Sequence, residues 1–184
     1  MRTYRAIQLL NDLSESELDN LASFFSNKET VIRENKNPFV CVAFNPDQYF
    51  QNETKISQAF SNNKFLPLVV SNYKFLALLL AISSQQEYSF TDFSFKENEE
   101  ESYFEKDKVK DMLDDYEDVK NISNFLKESS QKIQYIELVI SHPKNRIRVH
   151  SSGSISLTNS FDKNLYPDVI KLVQFLFTGS MSKT

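Results

Sequence analysis

Glycine is nearly absent from this chain: Gly153 and Gly179 are the only two among 184 residues. That excludes a phosphate-cradling P-loop, a dinucleotide fingerprint and a Gly-x-Ser-x-Gly nucleophile elbow, all of which need glycines at fixed spacings. Cysteine occurs once, as Cys41 within the apolar run Phe39–Phe44, so neither an intrachain disulfide nor a four-cysteine zinc site can form. The two histidines, His142 and His150, have no cluster of metal-ligand residues around them in sequence. Tryptophan is missing, and so is any apolar run of the ~20 residues needed to span a bilayer. The longest apolar stretch, Phe65–Ile82, is interrupted by Pro67, Ser71, Asn72 and Lys74; its unbroken part, Phe75–Ile82, reads as a buried helix. The opening Met-Arg-Thr-Tyr-Arg lacks an apolar signal segment, so an intracellular protein, cytoplasmic or nuclear and not secreted, is expected.

What is present is a core. Hydrophobic residues make up 40% and charged residues 25%, with 16 Phe and 8 Tyr, which suits one ordinary domain or two small ones. The net charge of −4 conceals segregation. Asp92–Asp118 holds 12 acidic residues against 4 lysines, whereas 119–184 holds 9 basic residues against 4 acidic ones. A basic C-terminal third behind an acidic segment is compatible with a polyanion-binding surface or with an ordinary solvated loop.

Local signals place the elements. Ser14-Glu-Ser-Glu17 is a capping box, flanked by a Leu13/Leu18 staple and followed by Leu18, Leu21, Ala22 and Phe25 at helical spacing. Ile7, Leu9 and Leu10 predict a short preceding helix. Strands are expected at 31–33 and 39–44, closed by an Asn45-Pro46-Asp47 turn, then a short helix at 55–60 and a helix at 71–82. A strand at 87–95 leads into an exposed acidic loop and helical faces at 109–116 and 119–126. Strands at 134–141, 146–150 and 154–158 follow, then a helix at 167–177 with Val169, Leu172, Val173 and Leu176 as its core stripe.

The order predicts an α+β fold, a curved antiparallel sheet with helices packed on one face. Two related halves are expected, 1–86 and 87–184, the second carrying the acidic loop 97–107 and the hairpin 134–158. Within that hairpin Lys144, Arg146, Arg148 and His150 share one parity, continued by Ser154, Ser156 and Thr158. Ile147, Val149, Ile155 and Leu157 hold the other. Cations and hydroxyls on one strand face are the groups that contact phosphates, and arginine also reads base edges. Water alone also selects a polar outer face on a half-exposed hairpin. Asp114, Asp115, Glu117 and Asp118 offer carboxylates for acid–base or Mg²⁺ chemistry, or a solvated helix surface.

The run Val139-Ile-Ser-His-Pro-Lys-Asn-Arg-Ile-Arg-Val-His-Ser-Ser-Gly-Ser-Ile-Ser-Leu-Thr158 resembles the second half of a TATA-binding-protein repeat. That family has a Pro-Lys turn, an aliphatic strand, Ser-Gly, a second aliphatic strand ending in Thr-Gly, and a long helix. Residues 118–126 and 167–177 match its helices and Tyr88–Phe95 its opening strand. The resemblance implies a TATA-binding-protein-like saddle, built from two degenerate repeats, whose open sheet face grips a DNA minor groove and inserts aromatic wedges. Its wedge positions fall on Ile133 and His150, and its groove-facing positions on Arg148, Ser156 and Thr158. His150, Arg148 and Ser156 depart from the family's residues, and Asn159 stands in place of its glycine.

The expectation is therefore a non-enzymatic, transcription-factor-like protein that binds nucleic acid through Lys144, Arg146, Arg148, His150, Ser156, Thr158 and Ile133. No metal, small-molecule cofactor or membrane is called for, and DNA is the expected partner. The alternative is a protein–protein interaction or regulatory subunit, or an inhibitor, whose sheet face or acidic segment docks on a partner protein. An acidic-residue hydrolase is a third reading.

Overall fold

The computed structural model describes residues 1–26, 31–34, 37–62, 64–83, 88–95, 132–140, 145–158 and 163–179. The expected acidic loop 97–107, the helical faces at 109–126, Lys144 and Asn159 lie outside the described residues. By contact the chain forms two compact units, Met1–Val69 with Ser152–Thr184, and Val70–Ser151.

In the first unit, β1 (Arg2–Leu9) is the strand on which the others assemble. It pairs antiparallel with β3 (Phe39–Ala43) along one side. On its other side it pairs with β8 (Ser154–Leu157) at residues 2–5, and with β4 (Phe65–Pro67) at residues 7–9. β2 (Val31–Arg33) pairs with β3. The short helix expected from Ile7, Leu9 and Leu10 is instead the end of β1. A strand with partners on both sides and buried residues on both faces (Tyr4, Ala6, Ile7, Leu9) loses the clean alternation that would distinguish it from a helix turn.

α1 (Glu15–Ser23) begins at the expected capping box. The Glu17 amide donates to Ser14 Oγ, and the Glu17 carboxylate accepts from the Ser14 amide at 2.9 Å. Its stripe of Leu18, Leu21 and Ala22 meets Ile7, Leu9, Val40 and Val42 in a core that also takes Ile56 of α3 (Glu53–Ser61). The segment read as an Asn45-Pro46-Asp47 turn opens a helix, α2 (Pro46–Gln51): Asn45 Oδ1 accepts from the Gln48 amide and Pro46 sits in the first turn. α5 (Tyr166–Thr178) packs on β2 and β3, with Phe39 and Phe177 stacked at 5.3 Å. Val169, Leu172, Val173 and Leu176 are all buried, as their spacing predicts. Phe39 and Cys41 point away from Val40 and Val42, so this part of the sheet is covered on both faces: by α1 and α3 on one side, by α5 on the other. The one-sided cover expected from hairpin patterning does not apply here. β3 is buried at every position, which is why its sequence shows no polar alternation. Burial also pushes the Cys41 thiol up to about 12, leaving it unreactive at neutral pH.

In the second unit, β5 (Tyr88–Phe95), β6 (Ile133–Ile140) and β7 (Arg146–His150) form an antiparallel sheet in the order β7-β6-β5. α4 (Asn72–Ser83) contacts β5 and β6, and Asn72 Oδ1 accepts from the Ile133 amide at 3.0 Å. The run Phe75–Ile82, expected as a buried helix, lies within α4: Phe75, Leu78 and Ile82 are buried, Leu80 is exposed, and so is Tyr73 ahead of the run. No described helix is long and apolar enough to cross a membrane.

Candidate functional site

Strand alternation on β6 sends Ile136, Leu138 and Ile140 to the core and Tyr135, Glu137 and Val139 to the opposite face. The register sets Tyr135 across from His150, Glu137 across from Arg148, and Val139 across from Arg146. On the other side of β6, Asp92 stands across from Glu137, and a bulge between Phe90 and Asp92 re-aims Thr91. One face of the second unit thus gathers Arg146, Arg148 and His150, as their parity predicts, together with three groups that sequence reading did not single out: Tyr135, Glu137 and Asp92.

Glu137 organises this face. Its side chain is only 6% exposed, and both arginines close on it. Arg146 Nη1 donates to Oε1 at 3.1 Å, while Arg148 donates through Nη2 and Nε to Oε2 at 2.9 and 3.3 Å. Such charge-assisted pairs are the strong class of hydrogen bond. The Arg148 guanidinium also lies over the Tyr135 ring, 4.2 Å from its centroid, where the ring quadrupole attracts it. Tyr135 donates its hydroxyl to Asp92 Oδ2 at 3.3 Å, and Thr91 Oγ1 donates to the Glu137 carbonyl at 3.2 Å. The signal for Glu137 was present in the sequence: it is the single charge in the strand Ile-Gln-Tyr-Ile-Glu-Leu-Val-Ile. A lone carboxylate in such a strand needs a cation opposite it.

His150 packs its ring 5.9 Å from that of Tyr135. Burial, and secondarily the Arg148 charge, pull its pKa below the ordinary value of 6.5. The neutral imidazole is therefore the folded form. Its contribution to stability is complete above about 6.5 and is lost as pH falls through that value towards the lower folded-state pKa. In H150Q the fall in Tm between about pH 7.5 and pH 5.5 should shrink; an unchanged fall would place the acid sensitivity elsewhere.

The remaining expected residues are not gathered here. Ile133 is 3% exposed, so it belongs to the core and presents no wedge. Ser156 and Thr158 belong to the other compact unit. Ser156 is 4% exposed and its Oγ meets Thr3 Oγ on the neighbouring strand at 3.0 Å. Its hydroxyl serves a cross-strand pair, because β8 is buried at every position and alternation there separates two covered faces. Thr158 is exposed just past the end of β8. Among the described residues no three His, Cys, Asp or Glu side chains are grouped to hold a metal ion.

No protein-family model, curated protein or solved structure matches the chain.

Proposed function

We propose that this is a non-enzymatic interaction module that docks a partner protein on the Tyr135–Arg148–Arg146 face of its β5–β6–β7 sheet. The observation that carries this reading is the charge balance around Glu137. Phosphate binding draws its affinity from cations whose charge is available to replace counterions. Here both arginines are turned onto a buried carboxylate, with Asp92 beside it, so the four formal charges cancel. A neutral, preorganised arginine–tyrosine surface is instead the chemistry enriched at protein interfaces, where those two residue types carry much of the binding energy. A wedge-driven DNA kink draws no support from a buried Ile133 or from a His150 held beside Tyr135.

Nucleic-acid binding is the second reading, favoured by Arg146, whose side chain is 53% exposed and able to contribute to a phosphate contact. Titrating a duplex of about 20 base pairs against the intact chain between about 50 and 200 mM salt separates the two. The interaction-module reading expects no binding with a steep salt slope. It expects a stoichiometric partner to co-purify from the source cells and to be lost in Y135A and R148E. Duplex binding that weakens steeply with salt and disappears in R146E/R148E would overturn it in favour of nucleic acid.

A further inference from the structure

The first compact unit carries a cleft of about 260 Å³ between α1 and α3 that has no part in the sheet face described above. Helical spacing builds it. Glu17 and Leu21 line it from α1 and Phe24 from the residue that caps its end, Lys55 and Ala59 line it from α3, and Lys64 and Phe65 close it. The floor is apolar and firmly held: Leu21 and Phe65 are buried core residues, and the Phe65 ring packs on Phe60 and Phe25 at 4.4 and 6.3 Å. Phe24 is half-buried at the wall, and the Lys55 ammonium sits 6.0 Å from its ring centroid.

The rim is cationic. Lys55 and Lys64 are exposed, and neither makes an ion pair with a described residue. Glu17 is the one carboxylate in the lining, and it is already committed: its Oε2 accepts from the Ser14 amide at 2.9 Å and from Ser14 Oγ at 2.8 Å. Those bonds, and Lys64 to a smaller extent, hold its carboxyl below the usual range, and the two lysines outnumber it on the rim. The volume lies just under the roughly 300–1,000 Å³ of pockets for drug-sized molecules, which limits the guest to about one ring or branched chain.

We infer that this cleft binds a small organic carboxylate bearing a single aromatic or branched apolar group. The apolar group lies against Phe24 and Phe65, and the carboxylate meets the ammonium groups of Lys55 and Lys64. This site is independent of the protein-docking face, so either can fail without the other.

The probe is 3-phenylpropionate, titrated into the intact chain by calorimetry or by two-dimensional NMR, with 3-phenylpropionamide as its neutral counterpart. Saturable binding with a Kd on the order of 1 mM is expected for so small a ligand. The amide should bind roughly five- to tenfold more weakly, as should the acid to K55M/K64M, since two exposed charge contacts are removed. Both lysines are on the surface, so K55M/K64M retains the fold. A59F fills the cleft from α3 and should abolish binding with the far-UV circular dichroism unchanged. Absence of saturable binding to the folded chain at about 10 mM probe, roughly ten times the expected Kd, would overturn the proposal. Equal affinity for acid and amide would overturn it as well, because the cationic rim would then play no part.

Discussion

Replacing Gly153 with alanine should lower the unfolding free energy by about 3–5 kcal/mol, far more than the same change at Gly179. Both glycines have left-handed backbones, with φ of 80° and 73°. That conformation alone costs an alanine roughly 1–2 kcal/mol. The difference lies in what each added methyl meets. At Gly179, after the last turn of α5, no atom of the described residues lies within 4 Å of the added methyl. At Gly153 the methyl would overlap the carbonyl oxygen of Leu68, which is backbone and cannot rotate away. Nor is Leu68 free to retreat: its amide donates to the Ala6 carbonyl at 3.0 Å, and the Ala6 amide donates to the Gly153 carbonyl at 3.3 Å. The clash therefore propagates into the pairing of β1 with β8. Urea unfolding of G153A and G179A checks this, because their difference isolates the steric part from the shared conformational part. Equal losses in the two variants would show that close approach of the backbone at Gly153 contributes nothing.

Removing both arginines from Glu137, as R146M/R148M, should cost about 3 kcal/mol, and adding E137L to that background should restore at least half of it. The asymmetry follows from exposure. The Arg146 and Arg148 side chains are 53% and 31% exposed and reach water, whereas that of Glu137 is 6% exposed and does not. Without the arginines, the one side-chain partner left to its carboxylate among the described residues is Thr91 Oγ1, 3.5 Å from Oε1. A buried charge without a counterion is the expensive state, and an apolar replacement of similar size removes it. Denaturant midpoints of the double and triple variants test the point. A triple variant no more stable than the double would mean that the loss came from the arginine stems packing on the sheet. The same triple variant bears on function: folded but unable to hold its partner, it would tie the Arg–Glu–Arg arrangement to recognition.

Much of the secondary structure could be read from local pattern. The capping box starts α1 where Ser14 and Glu17 require, the stripe Val169–Leu176 buries α5, and β7 spans Arg146–His150 as its alternation indicates. The shared face of Arg146, Arg148 and His150 was equally legible, because strand parity is a property of consecutive residues. β1 and β4 were not legible. β1 is buried on both faces, and β4 is three residues long within the apolar stretch that also supplies α4, so neither shows alternation over enough positions. α2 was obscured because Asn-Pro-Asp opens a turn and a helix with the same residues.

The sequence by itself determined the α+β class, the antiparallel strands other than β1 and β4, the start of α1 and the buried stripe of α5, and which side chains share a strand face. All of these depend on residues a few positions apart. Only the tertiary structure decided which faces are covered and which charges are compensated. Ser156 proved internal because Thr3, 153 positions away, lies beside it. Arg146 and Arg148 on the basic face of β7 proved paired because β6 delivers Glu137 to the position opposite Arg148. Parity says which residues point the same way; strand pairing supplies the partners that decide whether a charge is available to a ligand or already satisfied within the fold.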